Sequence, residues 1–258
     1  MITAYTLYSG SSGNCTYIKG DNVELLIDAG TAARSIELGL NSVGSSLEKI
    51  SAIFVTHEHS DHISGLEVIS KRFNIPVHMT YPSYNKSVRD KSYLKRSAVS
   101  HEIEYELELG GLKLKSFIIP HDSAQNVGYI VSENGKKCLG TATDIGHVTE
   151  EIAYALSGCE HVILEANHDI EKLKNGPYPH FLKERILSST GHLSNNNSAR
   201  LACYLAEHGV KHLTLAHLSR ENNSAELALS TVCDLLNRNK LSLDVAVAQP
   251  SEPILVTR

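Results

Sequence analysis

The chain has 258 residues, 41% hydrophobic and 21% charged, with a formal net charge of -5 at pH 7. This composition excludes a disordered or collagen-like chain and argues against a protein that coats itself with nucleic acid. No run approaches the roughly 18 to 20 uninterrupted apolar residues of a helical membrane span, and Met1 to Gly13 has no basic patch followed by an apolar block; a soluble, unprocessed, cytoplasmic protein is expected.

The first 30 residues read as β: Thr3 to Tyr8, a turn at Ser9 to Asn14, Cys15 to Lys19, and Val23 to Ile27 after a second turn, with Gly, Ser and Asn punctuating short apolar runs. Ala32, Ile36, Leu40 and Val43 then recur at helical spacing before a buried-strand pattern at Ile50 to Val55. His62 to Phe73 reads as one helix and Val77 to Thr80 as a strand. Residues 81 to 100 form a polar interlude in which Lys86, Arg89, Lys91, Lys95 and Arg96 face a single acid, Asp90, among Tyr81, Tyr84 and Tyr93. Such a basic, aromatic stretch could track a nucleic-acid backbone, although charge runs are usually solvated helix faces.

Strands are expected at His101 to Leu109, Leu112 to Pro120, Val127 to Ser132 and Lys137 to Thr143, then a short helix from Thr149 and a buried run at His161 to Glu165. Ser194 is a candidate N-cap for a helix carrying Ala199, Ala202 and Leu205. Lys211 to Ala216 is a strand, Ala225 to Leu236 a helix and Leu243 to Val247 a last strand. Two mixed β-rich blocks, each followed by helices and joined by no linker, predict two sheets packed face to face with helices outside, in one domain spanning 1–258.

Five cysteines at wide, odd spacing build neither a disulfide framework nor a paired-cysteine zinc site, so reduced, mostly buried thiols are expected. Histidine is the outlier, with 14 copies. Six of the residues that matter stand together as His57-Glu58-His59-Ser60-Asp61-His62, directly after the apolar strand Ile53-Phe54-Val55-Thr56. Three imidazoles and a carboxylate at a strand end can converge on cations, and their N and O donors suit zinc and also admit manganese.

This His-x-His-x-Asp-His motif resembles that of the metallo-β-lactamase fold superfamily, and four further stretches match its pattern in order: Leu25-Leu26-Ile27-Asp28-Ala29-Gly30, Pro120-His121-Asp122, Ala142-Thr143-Asp144-Ile145-Gly146 and Leu215-Ala216-His217. The resemblance implies an α/β, four-layer αββα sandwich with two divalent metal ions between its sheets. It puts His57, His59 and His121 on one metal, Asp61, His62 and His217 on the second, Asp144 on both, and Asp28 behind the ligands. Taken singly, His121, Asp144 and His217 would read as a surface His, a turn Asp and a half-buried core His; order and strand context reverse that weighting.

Across nearly the whole chain, Leu7 to Asn14 (LYSGSSGN), Glu165-Ala166-Asn167-His168-Asp169, Tyr178-Pro179 and Thr190-Gly191-His192-Leu193-Ser194-Asn195 resemble the YycJ/WalJ (VicX) group, which is similar to the RNase J and tRNase Z nucleases. The resemblance implies phosphodiester hydrolysis, with DNA as the favoured partner and 5′ to 3′ exonuclease action, by a metal-bound hydroxide. Asp61 and His192 are the expected catalytic residues, His192 as general acid. Ser11, Ser12, Asn14, Asn167, His168, Ser194 and Arg220 are the expected substrate contacts, with a hairpin turn and surface solvation as the plain readings of the Ser9 to Asn14 loop and of Arg220. The chain departs from the larger nucleases in having no inserted cap domain between Asp144 and His217. A small-molecule hydrolase of the same fold is the alternative enzyme, and a non-catalytic regulatory partner is the alternative outside catalysis.

Overall fold

The computed structural model describes residues 2–90, 98–102 and 104–257. Two seven-stranded sheets form its middle layers. The first has the order β14-β1-β2-β3-β4-β5-β6, built from β1 (Thr3–Tyr8), β2 (Cys15–Lys19), β3 (Glu24–Ile27), β4 (Ile50–Phe54), β5 (Val77–Thr80), β6 (Ala98–His101) and the returning β14 (Ile254–Leu255). The second has the order β13-β12-β11-β10-β9-β8-β7, from β7 (Glu106–Leu109), β8 (Leu112–Ile119), β9 (Asn126–Glu133), β10 (Lys136–Ala142), β11 (His161–Glu165), β12 (His212–Ala216) and β13 (Asp244–Val247).

Both sheets change character partway across. Strands β1 to β3 pair antiparallel and β3 to β6 parallel; β7 to β10 pair antiparallel and β10 to β13 parallel. Parallel strands need crossovers, and helices supply them on the outer faces. Helices α1 (Ala33–Ser42), α2 (Ser60–Ile63), α3 (Leu66–Phe73) and α4 (Tyr81–Asp90) belong to the first block. Helices α5 (Glu150–Leu156), α6 (Ile170–Asn175), α7 (His180–Leu187), α8 (Asn195–Glu207) and α9 (Ala225–Arg238) belong to the second.

Strand alternation decides which side chain faces which layer. In β3, Leu25 and Ile27 enter the apolar layer between the sheets with Phe54, Val127, Tyr129 and Ile163, while Leu26 points the other way into the layer of Ile36, Leu40 and Ile69 from α1 and α3. A third layer joins Ile130, Leu164 and Leu215 to Ile152, Leu205 and Val232 of α5, α8 and α9. The αββα sandwich expected from the sequence is the fold. The expected N-cap Ser194 accepts from the Asn197 N–H at the start of α8, and the hydroxyls of Thr149 and Ser224 accept likewise from the Ile152 and Leu227 N–H at the starts of α5 and α9.

Four expectations need correction. The single helix expected from His62 to Phe73 is two, because Gly65 donates its N–H to the Ala29 carbonyl and a Cβ there would sit 2.4 Å from the Thr31 carbonyl oxygen. The strand expected from His101 to Leu109 is split between the sheets as the end of β6 and as β7. The polar interlude contains a helix, α4, up to Asp90; Lys91, Tyr93, Lys95 and Arg96 lie outside the described residues. Helices α6 and α7 had no sequence signal strong enough to predict them. All five cysteines are free, but only Cys15 and Cys159 are fully buried.

Candidate metal centre

The carboxyl ends of β1, β3, β4, β8, β10, β11 and β12 lie at one edge of the sandwich, a direct result of the pairing directions, and every motif residue stands there. At three of these ends the chain turns through a left-handed residue that is not glycine: Asp28 (φ 62), Asp144 (φ 59) and His217 (φ 56). This conformation is uncommon for residues with a side chain and is kept where the surroundings hold it. Asp28 and His217 follow their strands at once, and Asp144 follows its strand after Thr143.

Two triplets of donors share the site. His57, His59 and His121 form one, with ring centroids 4.5 to 5.1 Å apart, and His57 and His121 almost wholly buried. Asp61, His62 and His217 form the other, Asp61 Oδ2 lying 3.5 Å from Nε2 of each imidazole. Between them is Asp144, its Oδ2 3.2 Å from His62 Nε2 and its Oδ1 3.8 Å from His121 Nε2. The donor atoms of each triplet lie within 4.8 Å of one another.

How the rings are held shows what they are held for. His62 Nδ1 pairs with Asp28 Oδ2 at 2.8 Å, His217 Nδ1 with Glu165 Oε1 at 2.8 Å, and His121 Nδ1 with the Gly191 carbonyl at 3.1 Å. In each ring Nδ1 is anchored and Nε2 is turned inward. Nε2 of His57, His121 and His217, and Oδ2 of Asp144, are buried without a hydrogen-bond partner. Buried polar atoms left so would cost several kcal/mol together, at about 1–3 kcal/mol each. A divalent cation removes that cost, and tying Nδ1 while freeing Nε2 is the way metal-bound imidazoles are oriented. The residues therefore fit divalent metal ions.

Electrostatics points the same way. Burial pushes the carboxyls of Asp61, Asp144 and Glu165 up, but the imidazoles beside them outweigh it. His217 and His62 hold Asp61 and Asp144 well below the usual carboxylate range, and His192 and His217 hold Glu165 down to about 2. The carboxylates are thus ionised donors at neutral pH.

Glu165 is the residue that sequence reasoning named in a motif but gave no role. Fully buried at the end of β11, it receives His192 Nδ1 and His217 Nδ1 on Oε1, both at 2.8 Å, and the backbone N–H groups of Ile145 and Leu193 on Oε2. A charged residue closing an otherwise apolar buried run was the signal available for it. Asp28 serves the other side likewise: it accepts from the Thr56 N–H at 2.8 Å as well as from His62.

The remaining expected residues surround this centre unequally. Ser11 and Ser12 are exposed on the Ser9 to Asn14 loop, and Arg220 donates to the Ser12 hydroxyl at 2.8 Å. The same loop reaches the centre, since Ser9 accepts from the His217 N–H and the Asn14 amide lies 3.1 Å from His62 Nε2. Asn167 is buried and donates to the His217 carbonyl, and the Ser194 hydroxyl is engaged as the α8 cap. His168 is buried with neither ring nitrogen partnered, and burial holds it down to about 4, so the ring is neutral. Arg185 of α7 is bound to Asp122, next to His121.

Comparison with known proteins follows this geometry. A family model described as the β-lactamase superfamily domain matches residues 24–218. Exodeoxyribonuclease YycJ of Bacillus anthracis is 33% identical over 234 residues, 89% of this chain and 87% of that protein. Exodeoxyribonuclease WalJ of Streptococcus pneumoniae is 33% identical over 243 residues, 93% of this chain and 90% of that protein. Among solved structures, the metallo-β-lactamase fold protein YhfI of Bacillus subtilis superposes with a TM-score of 0.75 at 14% identity, over 98% of this chain and 99% of that one. Motif order, αββα layers and likeness over most of its length to YycJ and WalJ agree: the chain is a metallo-β-lactamase-fold hydrolase and belongs to the β-lactamase superfamily.

Proposed function

We propose that this protein is a metal-dependent nuclease acting on DNA, and within that class a 5′ to 3′ exodeoxyribonuclease that uses two divalent ions, zinc or manganese. The observation that carries the reading is the likeness to two exodeoxyribonucleases over about nine-tenths of the chain, joined to a donor set in which Nε2 of His57, His121 and His217 is buried with no hydrogen-bond partner. His57, His59 and His121 would hold one ion and Asp61, His62 and His217 the other, with Asp144 shared. When bound, such ions supply a nucleophile from water at neutral pH and offset charge on the phosphoryl oxygens.

The chain's own residues would do the rest. Asp28 and Glu165 keep His62 and His217 in the tautomer that presents Nε2. His192, its Nδ1 on Glu165 and its side chain 20% exposed at the rim, is placed to hold a proton at Nε2 for the departing oxygen. Ser11, Ser12 and Arg220 supply hydroxyls and a cation for a neighbouring phosphate. His168 and Asn14 complete the proposed contacts, and Asn167 and Ser194 would act by shaping the walls.

The test is a 5′-phosphorylated, 3′-labelled single-stranded DNA oligonucleotide incubated with Mn²⁺ or Zn²⁺, wild type beside Asp61→Ala. Shortening of the labelled strand in wild type alone is expected. Two bound ions with turnover of a small ester or diester, and no cleavage of DNA or RNA, would replace this reading by that of a small-molecule hydrolase.

A further inference from the structure

Between His57 and His59 stands Glu58, a carboxylate whose side chain is 5% exposed and which belongs to neither triplet. Burying a carboxylate is costly unless donors and a countercharge surround it, and here they arrive from two other segments. Glu58 Oε1 accepts from the Ala124 N–H at 2.8 Å and lies 2.8 Å from the Lys86 ammonium; Oε2 lies 2.9 Å from the Ser83 hydroxyl, which is also 2.8 Å from the Gln125 carbonyl. Ser83 and Lys86 are three residues apart on α4, so both project toward one side. Ala124 and Gln125 belong to the β8–β9 loop that also carries His121.

His57 and His59 share one turn after β4, and their spacing is set locally. His121 comes from the other sheet, so its distance from that turn depends on bonds that cross between the two. Glu58 makes such a bond from the residue between the two imidazoles to a residue three after the third. Another is the Val127 N–H to the Thr56 carbonyl, at 3.2 Å, further along the strands.

We propose that Glu58 is a positioning residue that locks the His57–His59 turn to the His121 loop, setting how tightly this triplet grips a divalent cation, and that the same carboxylate docks α4 at the rim of the centre. The proposal rests on the reading of the triplet as a metal site. Lys86, half-exposed on α4, is thereby paired with Glu58.

Zinc affinity measured by competition with a chelator, with elemental analysis of the bound metal, tests it. Glu58→Ala should bind one zinc equivalent about tenfold more weakly than wild type, in the range known for residues that orient metal ligands. Glu58→Gln, which keeps an oxygen for the Ala124 N–H, should recover most of that loss. A lowered Tm with zinc affinity unchanged would overturn the proposal, since a purely structural carboxylate predicts that result. Should Glu58→Ala fail to fold, the Ser83→Ala/Lys86→Met double variant takes its place: weakened zinc retention supports the clamp and wild-type retention overturns it. Wild-type protein that takes up no zinc or manganese would overturn the metal reading itself, and the proposal with it.

Discussion

Asp28 and Asp144 stand at equivalent places in the two sheets, each a left-handed residue just beyond the strand where antiparallel pairing gives way to parallel. The two halves use this switch point in pairing differently. In the first sheet the switch-point Asp turns away from the centre to hold His62, and the donors come from one short stretch after the next strand, His57 to His62. In the second, the switch-point Asp itself enters the centre, and the donors are scattered one to a strand end, His121, Asp144 and His217. The buried carboxylate behind them is Glu165, one strand further on, which of the three holds His217 and beside it holds His192, where Asp28 holds His62 alone. A compact motif is steadied by its own turn, whereas each lone strand-end imidazole is braced from another segment, His121 by the Gly191 carbonyl and His217 by Glu165.

The sharpest way to break this comparison is to exchange the roles of the two aspartates. Asp144→Ala should abolish hydrolysis with the fold retained, as should Asp61→Ala, while Asp28→Asn should leave measurable turnover; circular dichroism beside an activity assay reads both. If Asp28→Asn were as dead as Asp144→Ala, the two switch points would not differ in role. Next in size, His192→Ala should lower kcat by about 10²-fold or more, the usual worth of a placed proton donor, with bound metal unchanged. A wild-type rate with bound metal unchanged would remove His192 from the chemistry.

Glu165→Gln should weaken metal binding through His217, within roughly 10 to 100-fold, and also lower kcat of the metal-loaded protein through His192, whereas Asp28→Asn should act through His62 alone. Weakened metal binding by chelator competition with kcat of the loaded protein unchanged would deny that Glu165 braces both rings. A smaller effect concerns pH. Burial, helped by His101, holds His78 of β5 down to about 4, below the ordinary histidine value near 6.5. The unfolded chain therefore binds a proton between these values that the folded chain does not. The stability this histidine allows is complete above about pH 6.5 and falls as pH drops toward 4. The difference in urea midpoint between pH 7.5 and 5 should shrink in His78→Gln; an unchanged difference would assign the acid sensitivity to other groups. Smallest is Ser224→Ala, which removes the α9 cap and should cost about 1 kcal/mol in denaturant unfolding without touching the centre.

How far the site could be read in the sequence follows from the same contrast. Four of its donors stand within six residues, and that density speaks for itself because a turn after a strand throws such side chains together. His121, Asp144 and His217 are single letters at strand ends, identifiable only through their order along a known family pattern. Glu165 closes a buried run and could be noticed, but nothing local says that it faces His192 and His217, 27 and 52 residues later. Glu58 sat in full view inside the motif, and its partners Ser83 and Ala124 gave no hint of themselves.

By itself the sequence determined the layers: strand alternation and helical periodicity are properties of neighbouring residues, so the αββα plan, the cap at Ser194, and the turn that carries His57 to His62 could be read from it. Tertiary structure decided what depends on residues far apart in the chain. It split 101–109 between the two sheets, broke the expected 62–73 helix where Gly65 must pass against the Thr31 carbonyl, and brought Asp28, Glu165 and Glu58 to the atoms they hold. The reason is one of range: periodicity says which face of a strand is buried, while only the packing of one sheet on the other fixes which nitrogen meets which oxygen.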